Sequence, residues 1–551
     1  MVHLVKKKKK GNVYLYLQET GRVNGKSRRL WQIYLGPEHR FKERSQMITL
    51  PEVKTETIEF GLIAALMKVA RKLGVAEIID ECTEKRNQGL SVGEHMLIGA
   101  INRCVNPVSK TQLKKWFDST ILGKIYPNPG SALDSRSYWT HCRYLNEEKI
   151  EKIGEALARV AMERFDVSFN DLLFDPTNFF TYINPKKSNQ MIPRHGYSKE
   201  GRHTLNLVNF SLFCALDGGI PFLHLIYPGN VNDSSHFKGA LKKLEARVKQ
   251  LGISPSKVTL TFDKGNLSKD AFKFIDEEGF EFIVSIRPSA QKDILGTPPE
   301  EFSMKALPNG KKVGVKEFNR KVYGKERRIV AGYNANRAKL AAKNFDAKLD
   351  KRLEKIRYFF KDRLNERRWT EQKQVFDKCQ RVLGSKRFRK AVKIEISGKS
   401  GDLSLSVSKD KEQIEKYKHT LGKSFLMTNR ADLTPLEVVW SYRQQYIVEH
   451  AFKLLKNPAF LSIRPMYAYT DPSVKGHCFI CFIGLLLLAL LVREVIHRDI
   501  PMSLPKIIDL LKEIRITRIH IPGRKEPVEK VDTMSKEARN VYNALNLNQF
   551  I

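Results

Sequence analysis

No stretch of this 551-residue chain stays apolar for the ~20 residues that a bilayer span requires. The longest apolar run, Cys478 to Val492, is shorter and is interrupted by Gly484. It reads as a buried helix, and no membrane is expected as a partner. The basic run Lys6 to Lys10 is not followed by an apolar segment, so a secretory signal is not expected either. Cysteine is scarce: seven residues, odd in number and scattered, which argues against a disulfide framework. The thiols read as reduced, as in the cytoplasm. Cys478 and Cys481 form a CxxC, but without a second pair and inside the apolar run, where core packing is the expected role. Acid is in deficit, with 60 Asp and Glu against 97 Lys and Arg and a net charge of +37. That excess points to a polyanion, with nucleic acid as the default; an RNA-binding protein or an anionic membrane surface would fit the same charge.

With 42% hydrophobic residues, the chain can bury a sizeable core and is long enough for two to four domains. Asn12 to Leu17 and Arg29 to Leu35 flank a turn at Thr20 to Ser27, which predicts a basic β-hairpin within 1–50. Its Tyr and Trp residues suit DNA contact, and a solvated hairpin fits as well. Residues 55–165 are helical by pattern, with apolar spacing in Phe60 to Leu73, Val92 to Cys104 and Glu147 to Phe165. Basic connectors such as Lys110 to Phe117 suit a DNA-binding helical domain; a helical scaffold is the other reading.

From about 168 the pattern turns α/β. Two apolar runs end in a carboxylate: Leu172 to Phe174 before Asp175, and Val258 to Phe262 before Asp263. An acid at the end of a buried strand is costly unless a cation faces it. Ser441 to Lys456 reads as one helix, with Ile447, Ala451 and Leu454 on its apolar face. Tyr442, Gln445, Glu449, Lys453 and Lys456 recur on the opposite face. A solvated charged face has the same periodicity. Two strand-end acids and one helical acid together make a carboxylate set for a hard divalent ion.

That helix resembles the Tyr-Arg-Glu-Lys signature of DDE transposases from bacterial insertion sequences. Tyr442, Glu449 and Lys456 stand at the matching positions, and Gln445 stands where the pattern has Arg. Arg443 is close by, but lies about 200° round a continuous helix from Gln445. The resemblance implies a ribonuclease H-like catalytic domain in two parts, 168–286 and 426–500, interrupted by a mixed β/α insertion, 287–425. The hairpin and helical domain precede it, and 501–551 form a tail or a dimer contact. The implied topology makes the first and fourth strands neighbours, with Asp175 beside Asp263.

The resemblance further implies DNA cleavage at element ends and strand transfer. Asp175, Asp263 and Glu449 would be catalytic and would hold two Mg²⁺ ions about 3.5–4 Å apart, with Mn²⁺ able to substitute. The partners implied are terminal inverted repeats, target DNA and a second copy of the chain, in the cytoplasm on the nucleoid. Tyr442, Lys453, Lys456 and Lys199 are candidate DNA contacts; Lys199 ends the segment His195 to Lys199, which resembles a family loop near the active site. Arg464 to Tyr467 and His477 resemble the segment after the Glu, with His477 expected in the core. Trp369 and Tyr358 in the insertion are candidate base stackers, burial in its own core being the other reading. Asp171 is expected at the far end of the first strand, Asp233 as a loop-ordering acid and Asp270 as a helix-terminus acid. Gln445 keeps open a non-catalytic DNA-binding protein derived from a transposase; a stand-alone nuclease is a third reading.

Overall fold

The computed structural model describes residues 2–23, 26–40, 54–84, 89–127, 129, 133–184, 190–464, 466, 468, 470–521 and 526–551. Of the turn expected at Thr20 to Ser27, residues 20–23 and 26–27 are strand; Asn24 and Gly25, and Pro465 and Tyr467 of the segment after the Glu, lie outside the described residues. At the N-terminus β1 (Val2–Lys9), β2 (Asn12–Val23) and β3 (Lys26–Pro37) form a three-stranded antiparallel meander, in place of the expected two-stranded hairpin. The lysine run is itself part of a strand, because Lys10 and Gly11 both take positive φ, 48° and 79°. That is the two-residue turn geometry that matches strand twist. The strand β4 (Lys54–Glu59) then leads into the helices.

The α/β region begins with β5 (Asp171–Thr181), β6 (Arg194–His195), β7 (Asn206–Ala215), β8 (Pro221–Pro228), β9 (Thr259–Phe262) and β10 (Glu281–Ile286). Their order is β8–β7–β5–β9–β10, with the short β6 also on β7. The strands β5, β9 and β10 are parallel neighbours, and β7 runs antiparallel to β5 and β8. The run Thr259–Phe262 is wholly buried, as expected of a strand covered on both faces. Asp233–Gln250 and Lys269–Glu278 are the crossover helices.

Beyond β10 the sheet continues. After β11 (Ser303–Ala306), β12 (Lys312–Val322) and β13 (Lys325–Tyr333), the chain leaves for residues 334–422, which include a hairpin of β14 (Val392–Lys399) and β15 (Asp402–Lys409). It returns as β16 (Lys423–Thr428), which pairs antiparallel with both β10 and β13. Residues 303–333, expected inside a separate insertion, thus extend the main sheet to ten strands. The cause is packing: Val313, Val315 and Val330 share a buried cluster with Ile283 and Leu426. Only 334–422 have a core of their own, built from Leu349, Leu353, Ile356, Phe360, Trp369 and Cys379. Trp369 packs edge-on against Phe359 and Phe360, whereas Tyr358 is 83% exposed.

The Asp471–Ile496 helix is the one described helix long and apolar enough to cross a membrane, and 78% of its apolar window is buried in the protein. It packs against the helices Gly61–Leu73, Val92–Val105, Ser135–Arg143 and Glu147–Phe165, and against β8. Gly484 permits the close approach: a Cβ there would lie 2.6 Å from Leu461 and 3.0 Å from Cys104 Sγ. Cys478 and Cys481 are buried and free. His477 is in the core, its Nδ1 3.0 Å from the Tyr138 hydroxyl and its Nε2 2.9 Å from the Ile463 carbonyl. Residues 501–551 are not a loose tail. Their strand β17 (Arg515–His520) pairs with β4 on one side and with β18 (Val528–Val531) on the other.

Candidate active site

The parallel ladder between β5 and β9 ends at the pair Phe174–Phe262, so the next residues, Asp175 and Asp263, emerge side by side. Phe174 packs on Phe213 and Phe237, at 4.5 and 4.8 Å between ring centres, and Phe237 on Phe262 at 4.7 Å. This aromatic floor fixes both strand ends. The strand β5 does not stop at Asp175, as the apolar run suggested, but continues to Thr181 along β7 alone. Ligands of open α/β sheets bind outside the carboxyl ends of parallel strands, which is where this pair lies. Asp171 sits at the opposite end, 4.0 Å from Arg430. Asp270 is in the first turn of its helix, near Lys238.

The two carboxylates have opposite environments. Burial would raise Asp263, but hydrogen bonds from the Ser285 hydroxyl, the Lys264 backbone and the Tyr442 hydroxyl outweigh it and hold the carboxyl below its ordinary value. Tyr442 donates at 3.1 Å. Ser285 follows the last β9–β10 pair, Phe262–Val284, so register brings its hydroxyl to Asp263. Asp175 is pushed up to about 7, first by burial; Lys199 opposes this, and the charges of Glu449, Asp233 and Asp263 add to it. Lys199 Nζ donates to the Pro176 carbonyl at 2.6 Å and lies 2.9 Å from Asp233. Asp233 accepts from the Tyr227 hydroxyl at 2.9 Å.

The stretch Ser441 to Lys456 is two helices, Pro435–Arg443 and Tyr446–Lys456, broken at Gln444 and Gln445. The first starts on a capping box between Thr434 and Glu437. The second has no side-chain cap, since the Gln445 amide instead donates to the Thr261 carbonyl of β9 at 2.7 Å. The break resets the helical phase. Val448, Ala451, Phe452 and Leu455 are buried, one residue on from the expected Ile447 and Leu454. This helix packs against β5 and β7, with Glu449 exposed in its first turn and Lys453 exposed a turn further on.

Lys456 is paired with Glu200 at 3.1 Å, and Arg464 with the other oxygen of Glu200 at 2.9 Å. The loop bearing Lys199 and Glu200 is strapped to β5, where Asn178 donates to the Tyr197 carbonyl and accepts from the Lys199 N–H. Gly196 is required for this approach, since a Cβ would stand 2.0 Å from the Gly229 carbonyl. Sequence reasoning missed Ser285 and Glu200. A polar residue ending the apolar run Phe282–Ile286 was a signal for Ser285; nothing local marks Glu200. Asp175, Asp263 and Tyr442 thus meet at one end of β5 and β9, and Lys199 and Glu449 lie near enough for their charges to act on Asp175. Among the described residues, no three or more His, Cys, Asp or Glu side chains are gathered closely enough to hold a metal ion.

Acids thus line the carboxyl end of the parallel strands in a strongly basic chain. Residues 172–487 match the family model described as the transposase DDE domain, which is more than half of the chain. The chain belongs to that family. No curated protein matches. Among solved structures, the cryo-EM structure of the piggyBac transposase synaptic complex with hairpin DNA is similar to this chain at a TM-score of 0.36 and 9% identity, covering 84% of this chain and 82% of that chain.

Proposed function

We propose that this protein is a DNA transposase of a bacterial insertion sequence, cutting DNA at the element's ends and transferring the strand into target DNA. The observation that carries this reading is the register that sets Asp175 beside Asp263, with the helix of Glu449 packed over β5. The strand order β8–β7–β5–β9–β10 supports reading the sheet as ribonuclease H-like. Residues 334–422 are then an insertion ahead of the catalytic Glu.

The donors fit a hard divalent ion. All are carboxylate oxygens, which suit Mg²⁺ or Mn²⁺. The negative charge round the half-buried Asp175, met in part by Lys199, suits a cation. Asp175, Asp263 and Glu449 are the residues that would hold it, although in this structure the three are not gathered closely enough to do so. When bound, such an ion offsets charge on the phosphate and lowers the pKa of the attacking hydroxyl. The chain's own residues do the rest. Tyr442, its phenol pushed up to about 12 by burial and the nearby Asp263, stays a donor and orients the Asp263 carboxylate with Ser285. Gln445 pins the Glu449 helix to β9. Lys453, Lys456 and Arg464 present positive charge to the DNA backbone. Terminal inverted repeats and target DNA are the partners, with the chain acting as a homodimer on the nucleoid.

A non-catalytic DNA-binding protein is the second reading. It is favoured by Gln445, which stands in the Arg position and is tied to a backbone carbonyl. Cleavage and strand transfer on DNA carrying the element's own ends separates the two, run with Mg²⁺, with EDTA, and with Glu449→Gln. The transposase reading expects Mg²⁺-dependent nicking that Glu449→Gln lowers by about 10²-fold or more while binding persists. Binding without nicking in either Mg²⁺ or Mn²⁺ would establish the second reading.

A further inference from the structure

Consecutive residues of the β6–β7 loop carry opposite charges, and each is set against the opposite charge of the site. The Lys199 ammonium lies on Asp233 and the Pro176 carbonyl, and is the charge that most favours an ionised Asp175. One residue on, the Glu200 carboxylate spans two cations, Lys456 at 3.1 Å and Arg464 at 2.9 Å. Arg464 is held in place for this: it donates to the Lys456 carbonyl at 3.1 Å and its guanidinium lies 4.3 Å from the centre of the Phe180 ring. All three side chains keep 20–25% of their surface in solvent, so the cluster is at the surface rather than sealed. The loop's outer side is open; a Cβ on Gly201 would meet nothing within 4 Å.

A carboxylate that bridges an ammonium and a guanidinium makes the contacts a phosphate would make there, because both present a pair of oxygens to the guanidinium fork. An ammonium among carboxylates supplies the charge a divalent cation would supply. We propose that Lys199 and Glu200 are built-in stand-ins for substrate, Lys199 beside the acids in place of the cation and Glu200 on Lys456 and Arg464 in place of a DNA phosphate, and that DNA binding displaces them. The inference rests on the transposase reading of this site. It makes the DNA-free protein self-neutralised: a phosphate must compete with a tethered carboxylate before Lys456 and Arg464 are released to it. Pairs of this kind at partly exposed positions are weak enough to exchange.

Two measurements on the full chain test it, and neither requires cleavage. In the first, binding of a fluorescein-labelled random-sequence duplex is titrated over a salt series. Glu200→Gln is expected to bind about three- to fivefold tighter than wild type at low salt. Its salt dependence should be steeper by about one unit of log K against log salt, because both cations then meet DNA unpaired. Adding Arg464→Gln should remove the gain. If Glu200→Gln does not fold, Glu200→Asp, too short to span both cations, should also bind more tightly than wild type. In the second, MnCl₂ alone is titrated against thermal unfolding. Lys199→Met should be stabilised at several-fold lower Mn²⁺ than wild type. Binding by the Glu200 variant equal to or weaker than wild type makes Glu200 a brace and overturns its part. An unchanged Mn²⁺ response overturns the part of Lys199. A failure of the transposase reading shows instead as absent metal-dependent nicking, whatever these variants do.

Discussion

His224 and His477 are buried, and their burial has a sign. His224 lies among Phe210, Phe479 and Phe482, with Arg247 near, and is pulled down to about 3 by burial first and that charge second. His477 is held well below its ordinary value by burial, then by Lys110 and Arg103. Both therefore bind a proton more readily in the unfolded chain, whose imidazoles titrate near 6.5. The folded state keeps its full advantage above that pH and loses it as pH falls below, by up to about 1.4 kcal/mol per pH unit for each histidine. Denaturant midpoints should drop between neutral and mildly acidic buffer, where the lowered His236 adds to the slope and the raised Asp175 opposes it, and His224→Phe, which fits the aromatic stack, should lessen the slope. The acid dependence surviving intact in that variant would assign it elsewhere. At this scale the sequence marks Asp175 and Asp263 as strand-end acids, because a carboxylate after an apolar run is conspicuous. It does not mark Glu200, whose role depends on Lys456 and Arg464, hundreds of positions away.

Among the elements, β5 and β9 are legible as apolar runs that end in an acid, and it is the family resemblance that makes them neighbours. The helix at 441–456 is less so, because Gln444 and Gln445 carry no breaker signal and the bend is set by the Gln445 bond to β9. The strands β12 and β13 are visible as strands, but not their membership of the main sheet, and β11 carries no such signal. Local sequence encodes alternation, not the identity of the edge a strand joins. One register makes a prediction. Tyr333 and Lys423, where residues 334–422 depart and return, are cross-strand partners on β13 and β16. Replacing 334–422 with an Asn-Gly turn should close a hairpin there and leave the sheet intact. Circular dichroism should show cooperative melting within a few degrees of the full chain. DNA affinity should fall, since the removed body is rich in Lys and Arg. Loss of cooperative melting would mean that the body is needed to hold the sheet.

At the scale of the whole molecule, first and last parts are interleaved. The strand β4 pairs with β17, the Gly61–Leu73 helix packs on Leu504–Glu513, and Asp471–Ile496 is the axis round which residues 61–165 are arranged. The sequence reads as beads in order, because periodicity is local, and nothing local in 501–551 marks the pairing of β17 with β4. Deleting 501–551 uncovers β4 and removes the buried Ile507, Ile508, Leu510 and Leu511 from the helix that packs on Gly61–Leu73. The deleted protein is expected to aggregate or to lose the protection of 61–165 in hydrogen exchange, whereas a dispensable tail would leave that protection unchanged. The same interleaving sets a timetable on the ribosome. The first helices emerge hundreds of residues before the apolar axis that covers them, and at about 5–20 residues per second they wait tens of seconds with their faces open. A prematurely terminated copy therefore never completes its N-terminal half, and only a finished chain is able to close it.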